Sequence, residues 1–253
     1  MPSAPSPTPD TTLAPTATEA PDQADLGVEL PDIGKLSGSL AQRVYDSLRT
    51  AILSMQLPPG TMLRKQVICA QLGVSRSPVS EAITRLAVEG LVEVIPQSGS
   101  RVTKFSMAEI REGAFLREAV ELAAVAKVAT DRTEEQLAEL TRNLRLQALY
   151  LEDNDYDGFY REDERMHDMI LAFTGFPKIQ TLATTGWVQV NRARQMLLPL
   201  EDRAHGAYEE HRPIIDAIRD RDAEAARAAM QRHLNKLVER LEPLAVQRPD
   251  LFD

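Results

Sequence analysis

Leu72-Gly73-Val74-Ser75-Arg76-Ser77-Pro78-Val79-Ser80-Glu81-Ala82-Ile83, continuing through Arg85-Leu86 to Glu89-Gly90-Leu91-Val92, is the stretch whose reading decides how the first half of the chain folds. Gly73 supplies a turn, Ser75 or Ser77 offers an oxygen to cap a helix, and Pro78 falls in the first turn, where a missing N–H costs little. The helix then reaches Glu89. Upstream, Leu40, Val44, Leu48 and Ile52 recur every four residues, with Tyr45 and Met55 widening the stripe, until Pro58-Pro59-Gly60 ends this helical period. A short helix is expected across 65–71. After Gly90 the period becomes two, in Leu91-Val92-Glu93-Val94-Ile95 and Arg101-Val102-Thr103 around the turn Pro96-Gln97-Ser98-Gly99-Ser100. Three helices and a small hairpin describe a winged helix-turn-helix over residues 37–104, with the hairpin as the wing.

The chain has 253 residues, more than one domain usually holds, so a second domain is expected. Residues 1–36 are rich in Pro, Ala and Thr, with few large apolar side chains, and are expected to form a disordered tail. From Ser106 to the end the pattern is helical. Ser106 with Glu109, and Thr133 with Gln136, have the spacing of capping boxes. Helices are expected to about Ala129, from Thr133, over 156–173, over 177–198, over 201–220 and over 222–241. Six such helices make an all-α bundle across 105–245, leaving 246–253 as a C-terminal tail. The fold class is therefore mainly α, a winged helix-turn-helix followed by a helical bundle.

The net charge of −9 is unevenly spread: residues 37–104 carry +4, residues 1–36 carry −5 and residues 105–253 carry −8. A basic module joined to acidic neighbours is expected where only that module meets phosphates. No apolar run nears the roughly 20 residues that span a bilayer. With no secretory signal and a single cysteine, Cys69, read as a packed thiol, a cytoplasmic location is expected.

The recognition-helix stretch, with Pro59-Gly60 upstream and Gly99 in the wing, closely resembles GntR-family regulators. The C-terminal half resembles the FCD ligand-binding domain of the FadR subgroup, so that the likeness covers about residues 38–243. It implies a ligand-responsive, DNA-binding transcription regulator, a repressor in the first instance. Two readings stand beside it: a metalloenzyme with a DNA-tethering domain, and a regulator whose metal site is purely structural.

A recognition helix presents its N-terminal residues to base edges and phosphates, and arginine can engage guanine O6 and N7 together. Arg76 occupies that place. Ser75, Ser77 and Ser80 are candidate phosphate donors, Arg64 and Lys65 candidate phosphate contacts before the preceding helix, and Gly99 and Arg101 candidate wing contacts. Where the family commonly has a second arginine this sequence has Ser80, and Gln66 stands at a position that is basic in some members. The partners expected are double-stranded operator DNA and a second copy of the chain, because one small winged helix offers few contacts and two-fold proteins read two-fold sites.

Four histidines occur: His167, His205, His211 and His233. Asp163 and His167 are four apart, so they share one helix face, while His211 and His233 lie on later helices. Such a set can converge on a divalent ion, although by spacing alone a histidine is more often a surface or satisfied core residue. The resemblance implies convergence. Metal-containing FCD domains use an Asp-x-x-x-His pair and two later histidines, and Asp163, His167, His211 and His233 fall in those places; His205 matches nothing and reads as a loop or surface residue. The ion would be zinc first, with nickel or manganese as alternatives. Family effectors are commonly small carboxylates, and Arg117 resembles a cavity-facing family arginine, with Arg192 and Arg194 as lesser candidates. Trp187 is assigned to the core rather than the pocket wall, and Glu164 to solvent.

Overall fold

The computed structural model describes residues 26–197 and 201–253. Most of the expected disordered tail therefore lies outside the described residues. From position 26 that expectation is corrected: Leu30 is buried in the winged-helix core, and Asp32 caps a short 3-10 turn, Ile33–Lys35, by accepting from Gly34 N.

Helix α1 (Leu40–Leu53) is capped by the Ser39 side chain and buries Val44, Tyr45, Leu48 and Ile52 of the stripe read from the sequence, while Leu40, its first member, is exposed. Strand β1 (Met62–Leu63) leads into α2 (Lys65–Leu72), which Gly73 ends in the left-handed conformation, φ 65°. Helix α3 (Arg76–Val88) follows, with Ser75 at its N-cap position but making no side-chain cap bond. Strands β2 (Val92–Ile95) and β3 (Gly99–Val102) pair Val92 with Val102 and Ile95 with Gly99. The wing was expected as a bare hairpin; β1 adds a third strand on the far side of β3, opposing Met62 to Arg101. Two residues are too few to show a period. Val79, Ile83 and Leu86 of α3 join Leu48 and Ile52 in one core, which leaves Arg76, Ser77 and Glu81 exposed.

The second domain holds α4 (Met107–Asp131), α5 (Glu134–Glu152), α6 (Tyr156–Phe173), α7 (Pro177–Gly186), α8 (Val188–Leu197), α9 (Glu201–Arg219) and α10 (Ala223–Gln247). Thr133 and Gln136 form both halves of the expected capping box, whereas Ser106 caps Glu109 N in one direction. The single helix expected over 177–198 is two, broken at Trp187, whose backbone leaves the helix at φ −134°, ψ 37°. The break sits where two backbones pass closely. A Cβ on Gly113 would lie 2.9 Å from Val190 Cγ2, and one on Gly186 would lie 2.8 Å from Leu116 Cδ2. The last helix runs past Leu241 and through Pro243 to Gln247, and residues 246–253 are no loose tail. Leu251 O accepts from Phe105 N and Phe105 O from Asp253 N, both at 2.9 Å, while the Phe252 ring packs 5.4 Å from that of Phe105.

The domains touch directly. Val188 of α8 belongs to the winged-helix core, and Gln189 Nε2 donates to Gly90 O at 2.9 Å.

Candidate metal centre and effector cavity

Helix α6 turns Asp163 and His167 inward on one face, α9 supplies His211 and α10 supplies His233, and all four are buried. One ligand atom from each lies within 4.8 Å of the others. Each ring is held by its outer nitrogen: His167 Nδ1 is 2.5 Å from Glu121 Oε2, His211 Nδ1 2.7 Å from Gln147 Oε1 and His233 Nδ1 2.8 Å from Glu210 Oε2. A neutral ring whose Nδ1–H goes to its outer acceptor turns its Nε2 lone pair to the centre. His167 Nε2 and His233 Nε2 stand 3.2 Å apart, and His211 Nε2 lacks an aligned hydrogen-bond partner although Asp163 Oδ1 is 3.2 Å away.

Two Nε2 atoms at such a distance need a proton or a cation between them. Burial above all, and then neighbouring histidines and arginines, holds His211 and His233 well below the ordinary imidazole range, so both are neutral and able to ligate. Burial opposes ionisation of Glu121, but Arg117 and His167 outweigh it and hold the carboxyl far below the usual range. Three imidazole nitrogens and one carboxylate oxygen, each ring fixed by an outer acceptor, fit a divalent transition-metal ion. The Arg194 guanidinium pairs with Asp163.

A cavity of about 250 Å³ opens beside this centre, with His167, Glu121, Arg117, Arg194, Tyr160 and Asn191 in its wall. A second space of about 30 Å³ reaches Asp163 and His233, and Arg117, Tyr160 and Arg194 border both. Arg117 is buried, with Nε 2.5 Å from Glu121 Oε1.

In the first domain, Ser75, Arg76 and Ser77 are exposed at the start of α3, with Ser80 half-buried one turn on. Arg64 and Lys65 are exposed at the start of α2. Gly99 follows the wing turn at φ 117°, a conformation that favours glycine. Arg101 sits inside β3 rather than at the tip, its Nη2 2.7 Å from Glu93 Oε1 across the hairpin.

Residues 40–102 match the bacterial regulatory proteins of the gntR family, and residues 112–236 match the FCD domain. The HTH-type transcriptional repressor RspR of Escherichia coli is 32% identical over 215 residues, covering 83% of this chain and 92% of that one. The chain belongs to the GntR family. An HTH-type transcriptional regulator of Streptomyces ambofaciens is 33% identical over 209 residues, covering 83% of this chain and 88% of its own. The solved structure of E. coli McbR/YncC superposes with a TM-score of 0.68 at 22% identity, over 84% of this chain and 99% of that one, a likeness of fold. The family consists of transcription regulators that bind operator DNA and small effectors, so the chain is not an enzyme. Among the described residues, no helix is long and apolar enough to cross a membrane.

Within this GntR-family frame, several residues lie elsewhere than expected. Arg192 does not line the cavity: it is fully buried, its Nη2 donates to Thr103 O at 2.7 Å, and its guanidinium lies 4.6 Å from the Phe105 ring centroid. Its position on α8 turns it toward the linker between domains. Glu164 is not simply solvated; it is half-buried in the cavity wall, accepts from the Tyr160 hydroxyl at 2.7 Å, and burial pushes its carboxyl upward. Trp187 is both core and wall. His205 is exposed on α9, away from the other three histidines. The sequence reading missed Glu121, Gln147 and Glu210. Glu121 had a signal, standing four residues after Arg117 on one helix; the other two meet their histidines only across helices.

Proposed function

We propose that the chain is a cytoplasmic, homodimeric transcription repressor whose operator affinity is set by a small carboxylate bound at a divalent metal, zinc first, in the FCD domain. The observation that carries this reading is the convergence of three buried imidazole Nε2 atoms and Asp163 beside an arginine-bordered cavity. Repression is supported by RspR, described as a repressor, at 32% identity.

Arg76, with Ser75, Ser77 and Ser80, forms the face of α3 that enters the major groove, Arg64 and Lys65 hold phosphates, and Gly99 and Arg101 bring the wing to the backbone. Asp163, His167, His211 and His233 would hold the ion, which supplies a Lewis-acidic position for an effector oxygen. Arg194 is paired with Asp163 and Arg117 with Glu121, so both guanidinium groups stand at the cavity edge, positioned to meet the rest of a carboxylate. Elemental analysis of the chain purified without a histidine tag tests the reading. One equivalent of zinc, nickel or manganese, lost in His211→Ala, is the expected result; a metal-free protein that still releases DNA on binding a carboxylate would overturn it.

A further inference from the structure

One wall of the larger cavity comes from the DNA-binding domain. Arg49 and Leu53 of α1 border a space otherwise built by α4, α6, α7 and α8. Arg49 Nε donates to Glu89 Oε2 at 3.0 Å, and each side chain is 25% exposed. No other hydrogen bond or ion pair of Arg49 is found among the described residues. A guanidinium carries five N–H donors in a fixed fork, so most donors of this cavity-bordering side chain are unclaimed by the protein. Arg117 and Arg194, by contrast, are each tied to a buried carboxylate, Glu121 and Asp163.

The partner of Arg49 matters as much as its position. Glu89 is the C-cap of α3, and it also accepts the Tyr45 hydroxyl. Over the Tyr45 ring lies Arg85 of α3, its guanidinium carbon 3.8 Å from the centroid. The Arg49 side chain thus both borders the cavity and bonds the C-cap of the recognition helix.

We propose that Arg49 is an effector-binding residue: an acceptor group of the ligand, a second carboxylate or a hydroxyl oxygen, takes the open side of its guanidinium in competition with Glu89. The proposal rests on the reading that the cavity takes a carboxylate. It specifies the ligand class further, as an acid with oxygen acceptors at both ends, one toward Arg117 and one toward α1. It also links effector binding to the end of α3 through the Arg49–Glu89 pair.

The test is calorimetric titration of the full chain with malonate, succinate, malate, citrate, gluconate and glucuronate, using the acid that binds the wild type best. Arg49→Gln should weaken that acid about 10-fold or more, the scale of a charge-assisted hydrogen bond. Glu89→Gln should tighten it, because the competing carboxylate is gone, and the double variant should match Arg49→Gln. Arg49→Lys, which keeps the charge but not the fork, should fall between, and it carries the test if Arg49→Gln does not fold. If Arg117→Ala loses binding while both Arg49 variants bind as the wild type does, the cavity reading stands and the role of Arg49 is overturned. An unchanged affinity in Glu89→Gln would overturn the competition. If no acid binds the wild type, the carboxylate reading itself fails and takes this inference with it.

Discussion

Arg76 is the first residue of α3 and exposed, where a helix offers side chains to a groove. Arg76→Ala should weaken operator binding by about 1–3 kcal/mol at fixed salt, the worth of a bidentate base contact; undiminished binding in a gel-shift titration would remove it from the interface. At the metal centre, Glu121→Gln should keep the four ligands but lower metal affinity about 10- to 100-fold, because it alters the acceptor that orients His167. A competition titration against a chromophoric chelator reads this. A third residue gives a pH effect. Burial, assisted by the hydrogen bond to Glu89, pushes the Tyr45 hydroxyl up to about 12 from 10.0. Its proton is held more tightly in the folded chain, so the stability it contributes is fully present below pH 10 and lost as pH rises from 10 towards 12. Tyr45→Phe should therefore show a smaller fall in melting temperature than the wild type across that interval. The clustering of Asp163, His167, His211 and His233 was legible through the family resemblance, since the spacing of Asp163 and His167 places only those two on one face. Their outer acceptors Gln147 and Glu210, like the contact of Arg49 with the cavity, are products of helix packing and leave no mark in local sequence.

Amphipathic stripes made most helices legible, since a period of 3.6 is set by one buried face; α6 begins and ends where its pattern does. The errors fall where tertiary packing overrides local pattern. Apolar residues continue through Trp187, yet the chain breaks there so that Gly113 and Gly186 can bring α4 against the α7–α8 corner. The last helix was expected to end at 241, and α10 continues through Pro243 to Gln247. The packing claim has a signed consequence. Glycine to alanine inside a helix ordinarily stabilises by about 0.5–1 kcal/mol. At Gly113 the new methyl would meet Val190 Cγ2 at 2.9 Å, on a fully buried, β-branched side chain with little rotamer freedom. Overpacking costs about 1–3 kcal/mol, so it wins, and Gly113→Ala should lower the denaturant midpoint; a rise would show that the corner is loose.

At the scale of the molecule, the two domains are joined by side chains rather than by a bare linker: Val188 enters the first core, Arg192 holds Thr103, and Gln189 donates to Gly90 O. A change in how α6, α9 and α10 meet can therefore reach the winged helix through α8 and α4. Those three helices are where the candidate ligands lie. Removing a bound ion would leave inward-facing lone pairs His167 Nε2 and His233 Nε2 at 3.2 Å and an orphaned His211 Nε2, all buried, so the helices would have to part, hydrate or protonate. Any ligand that binds the folded chain alone adds to its stability by mass action, and its loss subtracts the same amount. A chelator should accordingly lower the melting temperature of the wild type, and His211→Ala should start lower and no longer respond to the chelator. Operator release on adding a carboxylate should disappear under the same two conditions, since an effector shifts a conformational balance only by its difference in affinity for the two states. Differential scanning calorimetry and operator binding, run on the same samples, check both halves. A chelator that lowers the melting temperature while leaving the operator response intact would make the ion structural and place effector recognition elsewhere in the cavity.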